Sequence, residues 1–496
     1  MKGLKKGLGA LFALGVAAAV TLTGCSGSGQ SNSSGGSKSM ATLNFWCVGT
    51  AQDAQKRVSQ AINSYLKNTK KVNFQVNYQE LGYGNDYTTK VNNALSTGQD
   101  VDVVFTASWA ANFSQNAMAG NFLSLDKYLK QYPDVVNILS QSFIDASKIN
   151  GHTYALPTNK EKFHGYGYLL RTDLVKKYNI DVSKIKTQAD MDPIFDTILK
   201  NEPGITPLCV GTDITPSAFL DWDPISDNDV PGALYPSANG SSTIVNQFTT
   251  PEAVNYYKMM QQYVQKKYVS RDAANVTSSD QIKSGKYFAF VSQLKPGKDA
   301  EMKASTGIDW TQVQITPYVV SNQETTGAML AIPKTSKNPD DAMKFISLLY
   351  TDPTLLNMFI YGQEGTDYTK NPDDTVALKN GSGYADGNGF RFGDQTKDFR
   401  LSYEAPDKYQ QFIQINNTAP KLQSYGFRFN SSSSDIQTLI ANTRAVLPQF
   451  NNLIYGTAAN IDASVADMKA KYQAAGADKL IQEEQKQYDA WRQSKK

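Results

Sequence analysis

Residues 42–78 switch between two periodicities, and that switch limits the fold more than any other feature of the chain. From 42 to 48 apolar residues recur at every second position, with Leu43, Phe45 and Cys47 on one face. After Asp53 the spacing becomes helical, with Ala54, Val58, Ala61, Ile62 and Tyr65 in step. Val72, Phe74, Val76 and Tyr78 then alternate with Asn73, Gln75 and Asn77. A period of two, then 3.6, then two predicts strand, helix, strand. So short a unit reads as a βαβ crossover in a parallel sheet. A further strand, Val101–Phe105, runs into the small-residue loop Thr106–Trp109. Ligands of open α/β sheets bind beyond the carboxyl ends of the strands, which puts Gly49–Asp53 and Thr106–Trp109 at the expected binding edge.

Helix starts recur later in the chain. Asn338-Pro339-Asp340-Asp341 offers a cap, a proline at the first helical position and two acids facing the dipole. Ala342, Phe345, Ile346 and Leu349 form the apolar stripe of that helix. Thr250-Pro251 and Asp352-Pro353 open two more helices. From about residue 433 the pattern is strongly helical, with a break near Gly476. There is no internal repeat and no heptad array.

The first 25 residues address the chain. Lys2, Lys5 and Lys6 precede an apolar run, Leu8–Val20, that is short of the ~20 residues a membrane span needs. Basic start, short apolar middle and small-residue exit read as a secretory signal peptide over residues 1–24. The exit, Leu22-Thr23-Gly24-Cys25, matches the lipobox of bacterial lipoproteins and makes Cys25 the lipidated residue. Residues 25–40 are almost all Ser, Gly, Asn and Gln, a composition that stays flexible and serves as a tether. The expected location is the outer face of the bacterial cytoplasmic membrane, on a Gram-positive surface. Three of the 49 basic residues lie in the leader, so residues 25–496 carry 46 basic and 46 acidic side chains. A neutral body argues against nucleic acid, which calls for a clustered basic face. Cys47 and Cys209 sit in apolar, strand-like stretches and read as buried free thiols.

Few constellations carry chemistry. His152 and His164 are the only histidines, and neither has the partners that a metal or a Ser-His-Asp site requires. No phosphate loop or dinucleotide fingerprint occurs, so no cofactor and no metal is expected. Asp221, Asp223, Asp227 and Asp229 crowd around Trp222 without EF-hand spacing. Such carboxylates could serve a glycosidase pair. Acids beside aromatic rings are equally what a sugar binder uses: carboxylates accept the hydroxyls, and rings stack on the C–H face. Trp46, Trp109 and Trp222 are the candidate stacking rings; Trp310 and Trp491 read as packing.

Four stretches and the chain's ending carry a resemblance. They are Leu43–Thr50 with Asp53, Gly98-Gln99-Asp100-Val101-Asp102-Val103-Val104-Phe105, Pro333–Pro339 with Ala342–Phe345, and Tyr361-Gly362-Gln363-Glu364-Gly365-Thr366-Asp367-Tyr368. The ending Ala474–Leu480, with Gln487 and Trp491, fits as well. Together with the lipobox they make the chain similar to the family 1 extracellular solute-binding proteins of carbohydrate ABC importers. The narrower match is to a lipoprotein subgroup with a helical C-terminal domain of unknown function. Gln363 stands where an acid is common in that subgroup.

The resemblance implies an α/β, two-lobed, periplasmic-binding-protein-like (type II) clamp with a helical C-terminal extension. Lobe one is expected at 41–157 and 317–350, lobe two at 158–316, and a mostly helical region completing both at 351–496. The chain is expected to cross between lobes near Ala155–Thr158 and again near 317–333. Ligand groups are expected on loops after the early strands and at the crossings: Trp46, Asp53, Trp109, Asn159, Glu161, Tyr166, Tyr168, Trp222, Asp223 and Glu364. The implied function is capture of an oligosaccharide without catalysis. The implied partners are the permease subunits of an ABC importer and, through the lipid, the membrane; a monomer is the family expectation. Competing readings are an importer protein for peptides or another polar solute, a secreted carbohydrate-active enzyme using the Asp221–Asp229 region, and an adhesin acting through residues 433–496.

Overall fold

The computed structural model describes residues 40–235, 242–384 and 387–495. The signal peptide, Cys25 and nearly all of the tether lie outside them. Residues 41–496 form one compact unit. Its first sheet holds β1 (Ala41–Cys47), β2 (Phe74–Glu80), β3 (Val103–Thr106) and β4 (Ala155–Pro157). Its second sheet is built on β5 (Phe163–Arg171) and β6 (Thr206–Cys209). A small antiparallel sheet comes next, from β7 (Asp223–Pro224), β8 (Ala233–Leu234) and β9 (Ile244–Val245). Then β10 (Tyr287–Leu294), β11 (Trp310–Gln314) and β12 (Val319–Val320) complete the second sheet, and β13 (Met329–Ala331) returns to the first. The strand orders are β2-β1-β3-β13-β4 and β11-β5-β10-β6.

The opening unit forms as its periodicity requires. β1 pairs in parallel with β2 and β3, with Phe45 opposite both Tyr78 and Val103. Leu43, Phe45 and Cys47 are fully buried. The helix α1 (Gln55–Asn68) covers them with Val58, Ile62 and Leu66. Phe45 meets Phe345 at 5.6 Å and Phe359 at 6.2 Å, so strand and returning helices share one core. Each fully buried ring of this kind contributes about 1.5–3 kcal/mol. Asp102, the acid of the Gly98–Phe105 motif, is fully buried. It accepts from the Asn44 amide at 3.0 Å and the Ser336 hydroxyl at 2.6 Å, tying β1 to the returning segment.

Helix starts follow the sequence with one exception. Thr250 and Asp352 cap the helices Pro251–Gln265 and Pro353–Tyr361 through their side-chain oxygens. Asn338 makes no side-chain cap to Pro339–Thr351; its side-chain NH2 donates to Asp102 at 3.4 Å.

The chain passes between the lobes three times. It leaves lobe one after β4 through residues 158–162 and comes back through residues 321–328. Residues 355–401 then complete the lobe-one core. A third passage is packed on the crossings: Tyr409 and Phe412 cluster with Phe163 and Val320. Residues 446–477 finally complete the lobe-two core. The region 351–496 is thus helical at both ends, with loops, short strands and one helix, Lys408–Thr418, between. Gly476 adopts φ +89° where the sequence marks a helix break.

Candidate functional site

The carboxyl end of β3 faces lobe two across the crossings, since Ser108 and Trp109 share a cavity with Glu161, Gln293 and Lys295. At the end of β3 the chain turns tightly. The Ala107 amide donates to Ala110, and the Thr106 hydroxyl donates to the Ala111 carbonyl at 2.8 Å. Trp109 is thereby held at the tip. Its indole N–H donates to the Gly327 carbonyl at 2.7 Å, and its ring packs on Phe105 at 5.7 Å. Even so, 45% of Trp109 is exposed, in a cavity of about 340 Å³. The ring is fixed at its polar edge and nearly half exposed, so it can offer a stacking surface.

The cavity is lined by both lobes and both early crossings. Lys160 and Glu161 come from the first passage, Gln323, Glu324 and Gly327 from the second. Gln293 comes from the end of β10, Lys295 from the loop after it and Lys298 from the start of the helix Lys298–Thr306. Phe390 arrives from the C-terminal part of the chain and lies 6.5 Å from the Trp109 ring.

The floor is an ion-pair chain. Lys295 lies 3.1 Å from Glu161 and 3.2 Å from Glu301. Lys160 lies 3.4 Å from Glu161 and 3.7 Å from Glu324. His164 stands 4.0 Å from Glu324. Burial by itself would raise the Glu161 carboxyl; Lys160 and Lys295 outweigh it and hold the group at about 2. Burial would likewise lower Lys295, but Glu161 and Glu301 raise it. His164 is lowered by burial against the pull of Glu324. Glu161 therefore stays ionised at neutral pH, an acceptor for hydroxyls and a poor proton donor.

Phe390 is placed by its neighbour. Arg391 is fully buried, bonds Glu80 at 2.7 Å and donates to the Val48 carbonyl. The Tyr78 hydroxyl donates to the same Glu80 oxygen at 2.8 Å. Gly49, at φ +149°, is required here, since a Cβ would collide with the Arg391 guanidinium and Glu80. The short helix Gly389–Arg391 thus crosses the strand ends of lobe one, with Arg391 anchored near β1 and β2 and Phe390 beside β3.

The structure brings Trp109 and Glu161 of the expected residues into the cavity. Tyr166 is half-buried and not among the lining residues, its ring 5.3 Å from that of His164. The others lie elsewhere. Trp46 is half-buried and packs on the lobe-one core. Asp53 is exposed in the turn before α1. Asn159 ties the first crossing to Asp394 at 2.8 Å. Tyr168 shares a strand face with Tyr166, but helices cover that face farther along, and its ring is buried 5.1 Å from Phe219. Trp222 packs on Phe248 at 6.0 Å. Asp223 is buried and accepts from Ser424 twice, at 2.7 and 2.9 Å. Asp227 and Asp229 both pair with Arg444. Glu364 is exposed, because its loop serves α1: Arg57 bonds Asp367 at 2.6 Å and the Gln363 side chain at 2.6 Å.

A larger hollow, about 460 Å³, lies between α1 and the edge strand β2. It is lined mainly by amides and hydroxyls, and its Asn63 caps the Val76 backbone in both directions. It presents no tryptophan or charged pair.

Residues 52–354 match the family model "Bacterial extracellular solute-binding protein". The chain belongs to that family. Residues 423–493 match a second model, a domain of unknown function, DUF3502. The solute-binding protein is 27% identical over 499 residues to a carbohydrate ABC transporter substrate-binding protein of Streptococcus pneumoniae, covering 98% of this chain and 97% of that one. Lipoprotein LipO of Bacillus subtilis is 24% identical over 187 residues, 38% of this chain and 35% of its own. Among solved structures, the N-glycan transport solute-binding protein NgtS of Streptococcus pneumoniae superimposes with a TM-score of 0.81 at 23% identity, over 92% of this chain and all of that one. It has also been solved in complex with Man1GlcNAc and with Man5GlcNAc. These likenesses establish the two-lobed fold. Among the described residues no helix is long and apolar enough to cross a membrane.

Proposed function

We propose that this solute-binding protein captures an oligosaccharide in the cavity between its lobes and delivers it to the permease of an ABC importer. The observation that carries the reading is Trp109: a large aromatic ring, fixed by its indole bond to Gly327, nearly half exposed, above a ring of acceptors and donors. Sugars offer an apolar C–H face and paired hydroxyls, and the cavity presents a partner for each. The relatives support the same class, since the Streptococcus pneumoniae protein is a carbohydrate transporter component and NgtS binds mannose-containing glycans. Binding without turnover fits this reading: Glu161, held ionised between two lysines, is a poor proton donor, and Asp223, Asp227 and Asp229 are engaged by Ser424 and Arg444. Lipidation at Cys25 would hold it, as a monomer, at the outer membrane face, with the Ser/Gly stretch as tether.

The test is calorimetric titration of residues 26–496 with a panel of oligosaccharides, with new reducing ends assayed in the same samples. One-to-one binding with no new reducing ends is expected. Cleaved sugar would replace this reading with an enzyme. Binding of peptides and of no sugar would replace the ligand class.

A further inference from the structure

Residues 423–493 match a model to which no function is assigned, and this C-terminal domain touches its surroundings in two different ways. Toward lobe two it is continuous with the apolar core: Val446, Phe450, Leu453 and Tyr472 are buried together with Phe195, Met260 and Phe288. Parting them would put apolar surface into water. Toward lobe one and the second crossing the domain reaches with polar groups. Arg428 donates to the Ala146 carbonyl of lobe one at 2.7 Å. The Asn322 side chain, on the second crossing, donates to the Ser424 and Phe427 carbonyls at 2.6 and 3.0 Å. Single hydrogen bonds of this kind exchange for water at small net cost. A hinge motion that parts the lobes would therefore carry the domain with lobe two.

The domain holds the loop between β7 and β8, residues 225–232. Arg444, at the end of the helix Ser434–Arg444, pairs with both Asp227 and Asp229, the latter at 2.9 Å. Glu484, fully buried on the helix Ala477–Ser494, accepts from the Ser226 hydroxyl at 3.0 Å. Gly232 makes room for that carboxylate, since a Cβ there would collide with it. The tip of the pinned loop meets the cavity rim at two points. Asn228 donates to Gln323, a lining residue, at 3.3 Å. The Asp227 carboxyl faces the Asn112 side chain of lobe one. Asn112 in turn donates to the carbonyl of Ser108, a second lining residue, at 3.5 Å.

We propose that the C-terminal domain is a brace for the closed cleft: through Arg444 and Glu484 it holds the loop 225–232 against the rim of the Trp109 cavity, bridging to lobe one, and so slows the release of captured sugar. The proposal rests on the proposed capture of an oligosaccharide. Arg444 is a positioning residue in it, acting through Asp227 and Asp229.

The experiment compares the unlipidated chain with its Arg444→Met and Arg444→Lys variants in two readouts. The first needs no sugar: amide hydrogen exchange followed by mass spectrometry. Arg444→Met is expected to speed exchange about threefold or more in residues 225–232 and also in residues 107–113 of lobe one, because the bridge between them is loosened. The second uses Man5GlcNAc as probe, with association and dissociation followed by tryptophan fluorescence in stopped flow. Dissociation from Arg444→Met is expected to be about fivefold faster with association unchanged, since contacts completed on closure act on the off-rate. Arg444→Lys keeps a cation for one of the two acids and is expected to fall between parent and Arg444→Met. The unfolding midpoint should stay near the parent's, because all three side chains of the pair are partly exposed. Unchanged exchange in residues 107–113 would overturn the brace. So would unchanged dissociation of a bound glycan, or slower association alone. If the parent binds neither Man5GlcNAc nor any other sugar of the panel, the capture reading falls, and the brace stands or falls on the exchange of residues 107–113.

Discussion

The two walls of the cleft solve the same problem with different materials. Lobe one presents rings, Trp109 and Phe390, held by a hydrogen bond to Gly327 and by the buried Arg391–Glu80 pair behind them. Lobe two presents long flexible cations, Lys295 and Lys298, each neutralised by Glu161 or Glu301. Stacking needs a surface that does not move, so the rings are anchored in a close-packed core. Hydrogen bonding to varied hydroxyls needs reach and exchange, which paired lysines supply. Wall one should therefore couple binding to stability through its anchor, whereas in wall two only the buried Glu161–Lys295 pair should matter to stability and Lys298 should tune binding with little structural consequence.

The largest effect is expected at the anchor. Arg391→Ala leaves Glu80 buried without its cation and should cost about 3–5 kcal/mol of stability, read by denaturant unfolding. Loss of sugar binding should accompany it, as Phe390 is released. A stability within ~1 kcal/mol of the parent's would deny the anchor its role. Next comes acid sensitivity. The Glu161 carboxyl is depressed from 4.5 to about 2, so its contribution is present above pH ~4.5 and lost as pH falls toward 2. On the order of 3 kcal/mol of stability should disappear across that window. The acid limb should be flatter in Glu161→Gln, and an identical limb would remove the ion-pair chain from the account. Trp109→Ala should then weaken sugar binding by about 2 kcal/mol, roughly thirtyfold, with an unfolding midpoint near the parent's because half the ring is already in water. Smallest of all, Lys298→Ala should change stability by under ~1 kcal/mol and binding by only a few-fold, since Glu301 is 40% exposed in that pair. A large loss of stability there would erase the contrast between the walls.

The sequence displays the fold more openly than the site, and the residues explain why. The βαβ start is local: alternation in β1 and β2 and helical spacing in α1 are each contained in one segment. Trp109 and Glu161 are legible because a strand end and a crossing mark them. Phe390 carries no signal. It stands after a glycine-rich stretch, and its place depends on the Arg391–Glu80 contact, 311 residues apart in sequence. Lys295 and Glu324 are equally hidden, since their pairing exists only once the crossings meet. Tyr168 misleads because alternation names a strand's face without naming what covers it: β5 begins at the crossing and ends beneath helices. The aspartates around Trp222 suggest a site, yet their partners, Ser424 and Arg444, come from about 200 residues later.

The most direct test of the account is a crystal structure of the protein with the oligosaccharide that titration identifies. The expected result is a sugar ring face to face with Trp109, with hydroxyls within hydrogen-bond reach of Glu161, Glu324 or Lys160. A sugar seated instead in the amide-lined hollow between α1 and β2, with the Trp109 cavity empty, would contradict it.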